Sequence, residues 1–238
     1  MSKVVATTVL PEDSGEVLTF GDTGDAIAIS GDSLNLNVLQ DAGGNNIITS
    51  DGAGNLTINS GLGGAMKLLT TNTFTGASTS EFTTLIDSTY DVYIFMWNAM
   101  NPATDNVNFT FQVSIDGGSN YNVQMTTTSF EAINPASGLS YMAGDDQANG
   151  TSYQNLCFDL GNGTDECSVG ELFLFNPSST AYVKQFYSTT QGYHLSEYTV
   201  NDFVGGMLQT KTAINAISFK MSSGNMDGEI KMYGISKS

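Results

Sequence analysis

The chain of 238 residues contains no arginine: its seven basic residues are all lysine, set against 24 Asp and Glu, for a formal net charge of −17. Nucleic-acid binding draws its affinity from clustered Lys and Arg that displace counterions from phosphates, so nucleic acid is excluded as a partner. An anionic membrane surface would repel the chain for the same reason. Charged residues of both signs reach only 13%, about half the usual share in a soluble domain. Histidine occurs once, at His194. A Ser-His-Asp or Cys-His arrangement would have to use it, yet neither a GxSxG elbow nor an HExxH helix is present. One His with two Cys also lacks the paired ligand spacing of a zinc site. The two cysteines, Cys157 and Cys167, are too few for a disulfide scaffold; reduced thiols are expected, with one bridge across a hairpin as the alternative. No apolar run approaches the roughly 18 residues of a membrane helix, and "MSKVVATTVLPEDSGE" lacks a signal-peptide core, so a soluble protein made in a cytoplasm is expected. Nor does any window keep a 3.6-residue apolar period free of Gly or β-branched residues, which predicts almost no helix.

What the sequence has instead is β-structure and turns. There are 13 Phe, 10 Tyr, one Trp and 26 Gly, a composition rich in the aromatic residues that a disordered chain lacks. Every aromatic except Phe20 lies after Gly61, so the composition changes near "GLGGAM" (61–66). Upstream, short strands are expected over Glu16–Phe20, Asp25–Ser30, Ser33–Leu39, Asn46–Thr49 and Asn55–Asn59, separated by "GDTGD", "SGDS", "DAGGNN" and "SDGAGN". Their apolar groups, among them Leu34, Leu36, Val38, Ile47, Ile48, Leu56 and Ile58, are few and modest. At about 0.8 kcal/mol per buried CH₂ they cannot offset about 1–2 kcal/mol of backbone entropy per residue. Residues 1–65 therefore read as a thin β arm that other chains must complete.

Residues 66–238 carry about ten thicker candidates: "MKLLTTNTFT", "SEFTTLI", "VYIFMWN", "VNFTFQVSI", "YNVQMTTTSF", "SYQNLCFDL", "GELFLFN", "AYVKQFYSTT", "AINAISFKMS" and "GEIKMYGI". Period-2 alternation places Phe109, Phe111, Val113 and Ile115 on one face, and Tyr93, Phe95 and Trp97 on another, while "LFLF" reads as buried on both sides. Many evenly spaced antiparallel strands predict an all-β chain, a jelly-roll-like β-sandwich behind the arm.

Chemistry-bearing residues are sparse. A glycosidase needs two carboxylates roughly 5–10 Å apart, and nothing in the spacing of Asp145, Asp146, Asp165, Glu166 and Glu171 selects a pair. The oxygen-rich loops "DGAGN", "DGGSN", "AGDDQANG" and "GNGTDE" match no calcium motif, and turn geometry accounts for them. No catalytic residue, metal ligand or cofactor is therefore expected. Tyrosines beside polar loops are what sugar or protein recognition uses, and they give the candidate contacts: Tyr141, Asp145, Asp146, Tyr193, His194 and Tyr198.

The succession "VLQDAGGNNIITSDGAGNLTINSG", "STYDVYIFMWNAMNPATDNVNFTFQVSIDGGSNY", "GELFLFNPSSTAYVKQFYSTT" and "INAISFKMSSGNMDGEIKMYGI" resembles a family of virion structural proteins of marine tailed phages. The resemblance covers the chain from about residue 34 onward. It implies a non-enzymatic virion component of tail-fibre or capsid-decoration type, with itself as partner in a homotrimer. Other virion proteins, and a host-surface glycan for the exposed sandwich, are the further partners it implies. A free carbohydrate-binding module and a depolymerase are the alternatives that the residues leave open.

Overall fold

A computed structural model describes residues 38–40, 45–53, 56–58, 65–143 and 145–237. The chain divides into two units, Met1–Leu62 and Gly63–Ser238. In the first, β1 (Val38–Gln40), β2 (Asn46–Ser50) and β3 (Leu56–Ile58) form an antiparallel sheet. Leu39, Ile48 and Ile58 stand opposite one another across it. Ile47 and Ile48 are half-buried, whereas Val38, Leu39 and Leu56 are exposed. Leu34 and Leu36 lie outside the described residues, as do the strands expected over Glu16–Phe20 and Asp25–Ser30 and the side chain of Ile58.

The second unit is all-β and antiparallel, with twelve strands among the described residues. They are β4 (Met66–Ala77), β5 (Ser80–Phe82), β6 (Val92–Pro102), β7 (Val107–Ser114), β8 (Met125–Asn134) and β9 (Ser140–Ala143). β10 (Gln154–Leu160), β11 (Ser168–Phe175), β12 (Lys184–His194), β13 (Tyr198–Leu208), β14 (Ala216–Met221) and β15 (Met226–Ile235) complete them. One layer runs β4-β15-β6-β11-β12-β13-β8-β9 and the other β5-β14-β7-β10. The layers join where Leu160 of β10 pairs with His194 of β12. On the opposite border Asn72 Nδ2 of β4 donates to Ser80 Oγ at 3.2 Å and to Glu81 O at 3.1 Å, so the sheet nearly closes on itself.

Aromatic rings fill the space between the layers. Phe219 of β14 meets Phe95 and Trp97 of β6 at centroid distances of 5.6 and 6.4 Å, and Trp97 meets Phe109 of β7 at 5.3 Å. Phe82 of β5 lies edge-on to Phe95, and Phe111 of β7 edge-on to Phe186 of β12. Edge-to-face pairs of this kind add stability beyond their buried area. Tyr93, Phe95 and Trp97 do share the inward face, as do Phe109, Phe111 and Val113, but Ile115 is 39% exposed beyond the end of β7.

Several strands depart from the sequence expectation. "LFLF" is buried on one side only: Leu172 and Leu174 face inward, whereas Phe173 and Phe175 are half-buried on the outer face against Tyr187. The strand expected across "SEFTTLI" stops at Phe82, and Leu85 takes a left-handed φ of 70°. Strands β9 and β13 were not among the ten candidates. "DGGSN" is a turn held by Asp116, whose Oδ2 accepts from Asn120 Nδ2 at 2.7 Å and whose Oδ1 accepts from Ser114 Oγ at 2.6 Å; these bonds hold its carboxyl below the usual range.

Candidate functional site

The outer face of the large layer is a grid of rows, because paired residues of neighbouring strands point the same way and residues two apart repeat. The row nearest the β12–β13 turn holds Asn134, Thr199 and Tyr193. The next holds Tyr141, Ala132, Asn201, Gln191 and Val169, and the third Phe130, Phe203, Thr189, Glu171, Met96 and Lys231. Phe130 and Phe203 stack with centroids 4.8 Å apart. Amides, hydroxyls and tyrosines dominate the first two rows.

Two adjoining clefts open among these rows. One, of about 380 Å³, is lined by Cys167, Val169, Gln191, Gly192, Tyr193, Glu197, Tyr198 and Thr199. The other, of about 330 Å³, takes in Met96, Glu171, Thr189, Gln191 and Asn201, so Gln191 and Val169 belong to both. Gln191 Nε2 donates to Val200 O at 2.8 Å and Asn201 Nδ2 to Thr190 O at 3.0 Å, which fixes both amides across the strands. The lip is the three-residue turn Leu195–Glu197, in which Glu197 N donates to His194 O at 2.8 Å and Glu197 adopts φ 63°. A three-residue hairpin loop ordinarily ends on such a left-handed residue, with glycine preferred there. A glutamate held in that conformation projects a carboxylate at the cleft mouth.

Of the residues expected from sequence to make contacts, the structure groups Tyr193, His194 and Tyr198 at this turn. Tyr193 alone of the three lies on the outer face; His194 is 8% exposed and points inward. Its ring stacks on Tyr198 at 4.1 Å, with Tyr198 Oη 3.0 Å from Nε2. His194 Nδ1 accepts from Ser196 N at 3.0 Å, which assigns the proton of the neutral ring to Nε2, 3.6 Å from Asp159 Oδ2. His194 thus closes the hairpin end onto β10, helped by Leu195 N donating to Asp159 O at 2.9 Å. Tyr141 is 71% exposed and shares the row of Gln191, three strands away, or about 14 Å at the usual strand spacing. Asp145 and Asp146 are exposed in the loop after β9, where Asp145 Oδ2 accepts from Asn155 Nδ2 at 3.0 Å. They do not join the tyrosines of the turn.

Sequence reasoning missed the most unusual chemistry, which lies on the inner face. Glu131 of β8 stands directly opposite Asp202 of β13, and the row continues through Thr190 and Gly170 to Trp97. Asp202 is 1% exposed and Glu131 8%. Burial, opposed by a bond from the Cys157 thiol and worsened by the Glu131 charge, pushes the Asp202 carboxyl up to about 7. Burial likewise raises Glu131, with the charges of Asp159 and Asp145 adding to it. Asp202 Oδ2 accepts from Phe158 N at 3.4 Å, while Asp202 Oδ1, Thr190 Oγ1 and Trp97 Nε1 are buried without a hydrogen-bond partner. Alternation of Val200, Asp202 and Val204 within "YTVNDFV" is the signal that could have found Asp202 on an apolar face.

Cys157 is buried and Cys167 exposed, and both are free thiols. Burial raises the Cys157 thiol well above its ordinary value, so it stays protonated. No group of three or more His, Cys, Asp or Glu among the described residues is arranged to hold a metal, and none of their helices is long and apolar enough to cross a membrane. The chain matches no family model, no curated protein and no solved structure.

Proposed function

We propose that this chain is a non-enzymatic structural protein of a tailed-phage virion, of tail-fibre type, that docks through residues 1–65 and displays its sandwich for adhesion to the host surface. The observation that carries the adhesive part is the paired clefts on the outer face. Tyr193 supplies a ring for stacking against a sugar, Gln191, Asn201, Thr189 and Thr199 supply amide and hydroxyl partners, and Glu171 and Glu197 supply one carboxylate to each cleft. A shallow, largely apolar site with an aromatic platform and a few amide, hydroxyl and carboxylate groups recognises a neutral or weakly basic glycan without cleaving it. The buried carboxylates Asp202 and Glu131 are shut inside the sandwich, where no glycosidic bond reaches them. The virion part rests on the sequence resemblance. A capsid-decorating role is the second reading, favoured by the apolar half of the same face, which suits a protein neighbour.

The test is binding of the full chain to an array of bacterial surface polysaccharides, with Tyr193→Ala and Gln191→Ala in parallel. Each substitution is expected to weaken binding about tenfold, a loss of about 1.4 kcal/mol, with no reducing sugar released by the parent chain. Binding that both variants retain in full sinks the cleft assignment. Absence of the chain from purified particles by mass spectrometry sinks the virion assignment.

A further inference from the structure

The outer face changes character on the side away from the clefts. Leu68, Tyr233, Ile94, Phe173 and Tyr187 form one straight row across β4, β15, β6, β11 and β12. Met66, Ile235, Val92, Phe175, Gln185 and Met207 form the next, reaching β13. Phe173 stacks on Tyr187 at 4.7 Å and Phe175 lies 5.7 Å from the same ring, so the centre is a preformed aromatic plate. At the margins the side chains are open to solvent: Met66 is 50% exposed, Leu68 49%, Tyr187 45% and Met207 37%. Neither row contains a charged residue, although the chain carries a net charge of −17.

We propose that these two rows are a dimerisation face, on which a second copy of this chain packs sheet against sheet. Two strongly acidic copies repel each other wherever carboxylates meet, and an uncharged face removes that penalty. The ionisable neighbours come as compensated pairs, Lys231 with Glu229 at 2.8 Å and Lys237 with Asp91 at 2.9 Å, and Lys211 borders a cleft of about 610 Å³ lined by Phe175, Tyr182, Val183 and Gln185. Six strands at about 4.8 Å spacing and two rows about 7 Å apart give a flat footprint of about 400 Å², before side-chain relief is added. Apolar patches of that size on a monomer are commonly functional, and two such footprints bury about 800 Å² in all before side-chain relief, the small end of specific interfaces. The face is also self-complementary. A twofold axis along the strands, between β6 and β11, lays the aliphatic end of one copy, Met66 and Leu68, on the end of the other that carries Tyr187 and Met207. Sheets stacked in this way interleave side chains at about 10 Å separation. The clefts at the β12–β13 turn lie to one side of the contact and stay open, so the inference does not depend on glycan binding.

Sedimentation equilibrium of the full chain, with Tyr187→Asp, Leu68→Asp and Leu85→Asp as variants, decides the matter. The parent is expected near twice the chain mass of 25.2 kDa, and not near the three times that the homotrimer implied by the sequence resemblance would give. Tyr187→Asp and Leu68→Asp, both at exposed positions, are expected to weaken association at least tenfold while keeping the parent's circular dichroism and cooperative melt. Leu85→Asp, which adds the same charge at an exposed site just after β5 in the other layer, is expected to leave the mass unchanged. A monomeric parent at 100 μM overturns the proposal, and so does an assembly of any size that Tyr187→Asp and Leu68→Asp leave intact.

Discussion

Replacing Asp202 by Asn should make the sandwich more stable at neutral pH, by an amount that depends on pH in a defined way. In the folded chain the Asp202 carboxyl titrates at about 7, whereas in the unfolded chain it titrates near the ordinary value of about 3.9. Between those values the unfolded chain has released the proton and the folded chain still holds it. Stability must then fall as pH rises through that window, because the unfolded state binds fewer protons. Below about pH 4 both states are protonated and Asp202 adds no pH dependence. Above about pH 7 the full penalty is present, about 3 units at 1.36 kcal/mol each, or about 4 kcal/mol.

Asn is nearly isosteric and never charges, so it avoids that penalty. It loses the carboxylate's acceptance of the Cys157 thiol, a bond worth about 1 kcal/mol, and leaves Phe158 N an amide oxygen to bond. The expected gain is therefore about 2–4 kcal/mol at pH 8, shrinking to within about 1 kcal/mol of zero at pH 4. Urea unfolding of both chains at pH 4, 5.5, 7 and 8.5 measures it, and the difference between them cancels every carboxylate they share. A difference that stays flat within about 0.5 kcal/mol across the series would refute the buried, uncompensated placement of Asp202. Glu131 sharpens the effect. It is the more exposed of the two, and its charge opposes ionisation of Asp202.

Three further outcomes test the fold around this row. Phe219→Ala removes the ring that Phe82, Phe95, Trp97, Phe109 and Phe111 all touch, and should cost about 3–5 kcal/mol in urea unfolding; a loss below 1 kcal/mol would mean that the rings do not form one cluster. A Cβ at Gly192 would lie 2.5 Å from Cys157 Sγ, 3.1 Å from Val200 and 3.2 Å from Leu160. Gly192→Ala should therefore cost about 1–3 kcal/mol, with the loss clearly smaller in a Cys157→Ala background, and an equal cost in both backgrounds contradicts the contact. An aromatic disulfide reagent should titrate one thiol per native chain, Cys167, and two in denaturant, whereas two fast thiols in the native chain would place Cys157 at the surface.

Much of the sandwich was legible because its strands obey the alternation that burial on one face imposes. Tyr93, Phe95 and Trp97, or Phe109, Phe111 and Val113, announce an inward face with no competing signal. Strand β13 was not legible, because Asn201, Asp202, Gly205 and Gly206 are residues that turns favour. The structure gives Gly206 another cause: a Cβ there would meet Thr126 O at 2.7 Å, so the glycine answers the close approach of β8 and not a turn. In "LFLF" the sequence lacks polar alternation because the outer face is itself apolar at Phe173 and Phe175. Local pattern cannot distinguish a second buried face from an exposed apolar one. Tyr193 stood out as a tyrosine beside a polar loop. Gln191, Asn201 and Glu197 did not, since only the pairing of β12 with β13 brings them to one cleft.

That pairing also explains why the acidic row exists despite its cost. Strands β8 and β13 are zipped over ten consecutive pairs, from Thr199 opposite Asn134 to Leu208 opposite Met125. In this register Phe203 faces Phe130 on the outside, and the very next pair, Asp202 with Glu131, must turn inward because successive side chains alternate. A one-residue slip of β13 would separate the acids, but it would also carry its apolar inward set, Val200, Val204 and Leu208, to the solvent side. Stacked rings outside, aliphatic side chains inside and facing carboxylates inside are thus one choice of register. Like charges placed directly opposite destabilise a sheet, and here the opposing gain is the burial of three aliphatic side chains together with the Phe130–Phe203 stack. The inner acids and the outer recognition rows therefore cannot be tuned independently. A substitution that shifts β13 to relieve Asp202 would dismantle the cleft face above it, whereas Asp202→Asn relieves the charge with the register kept.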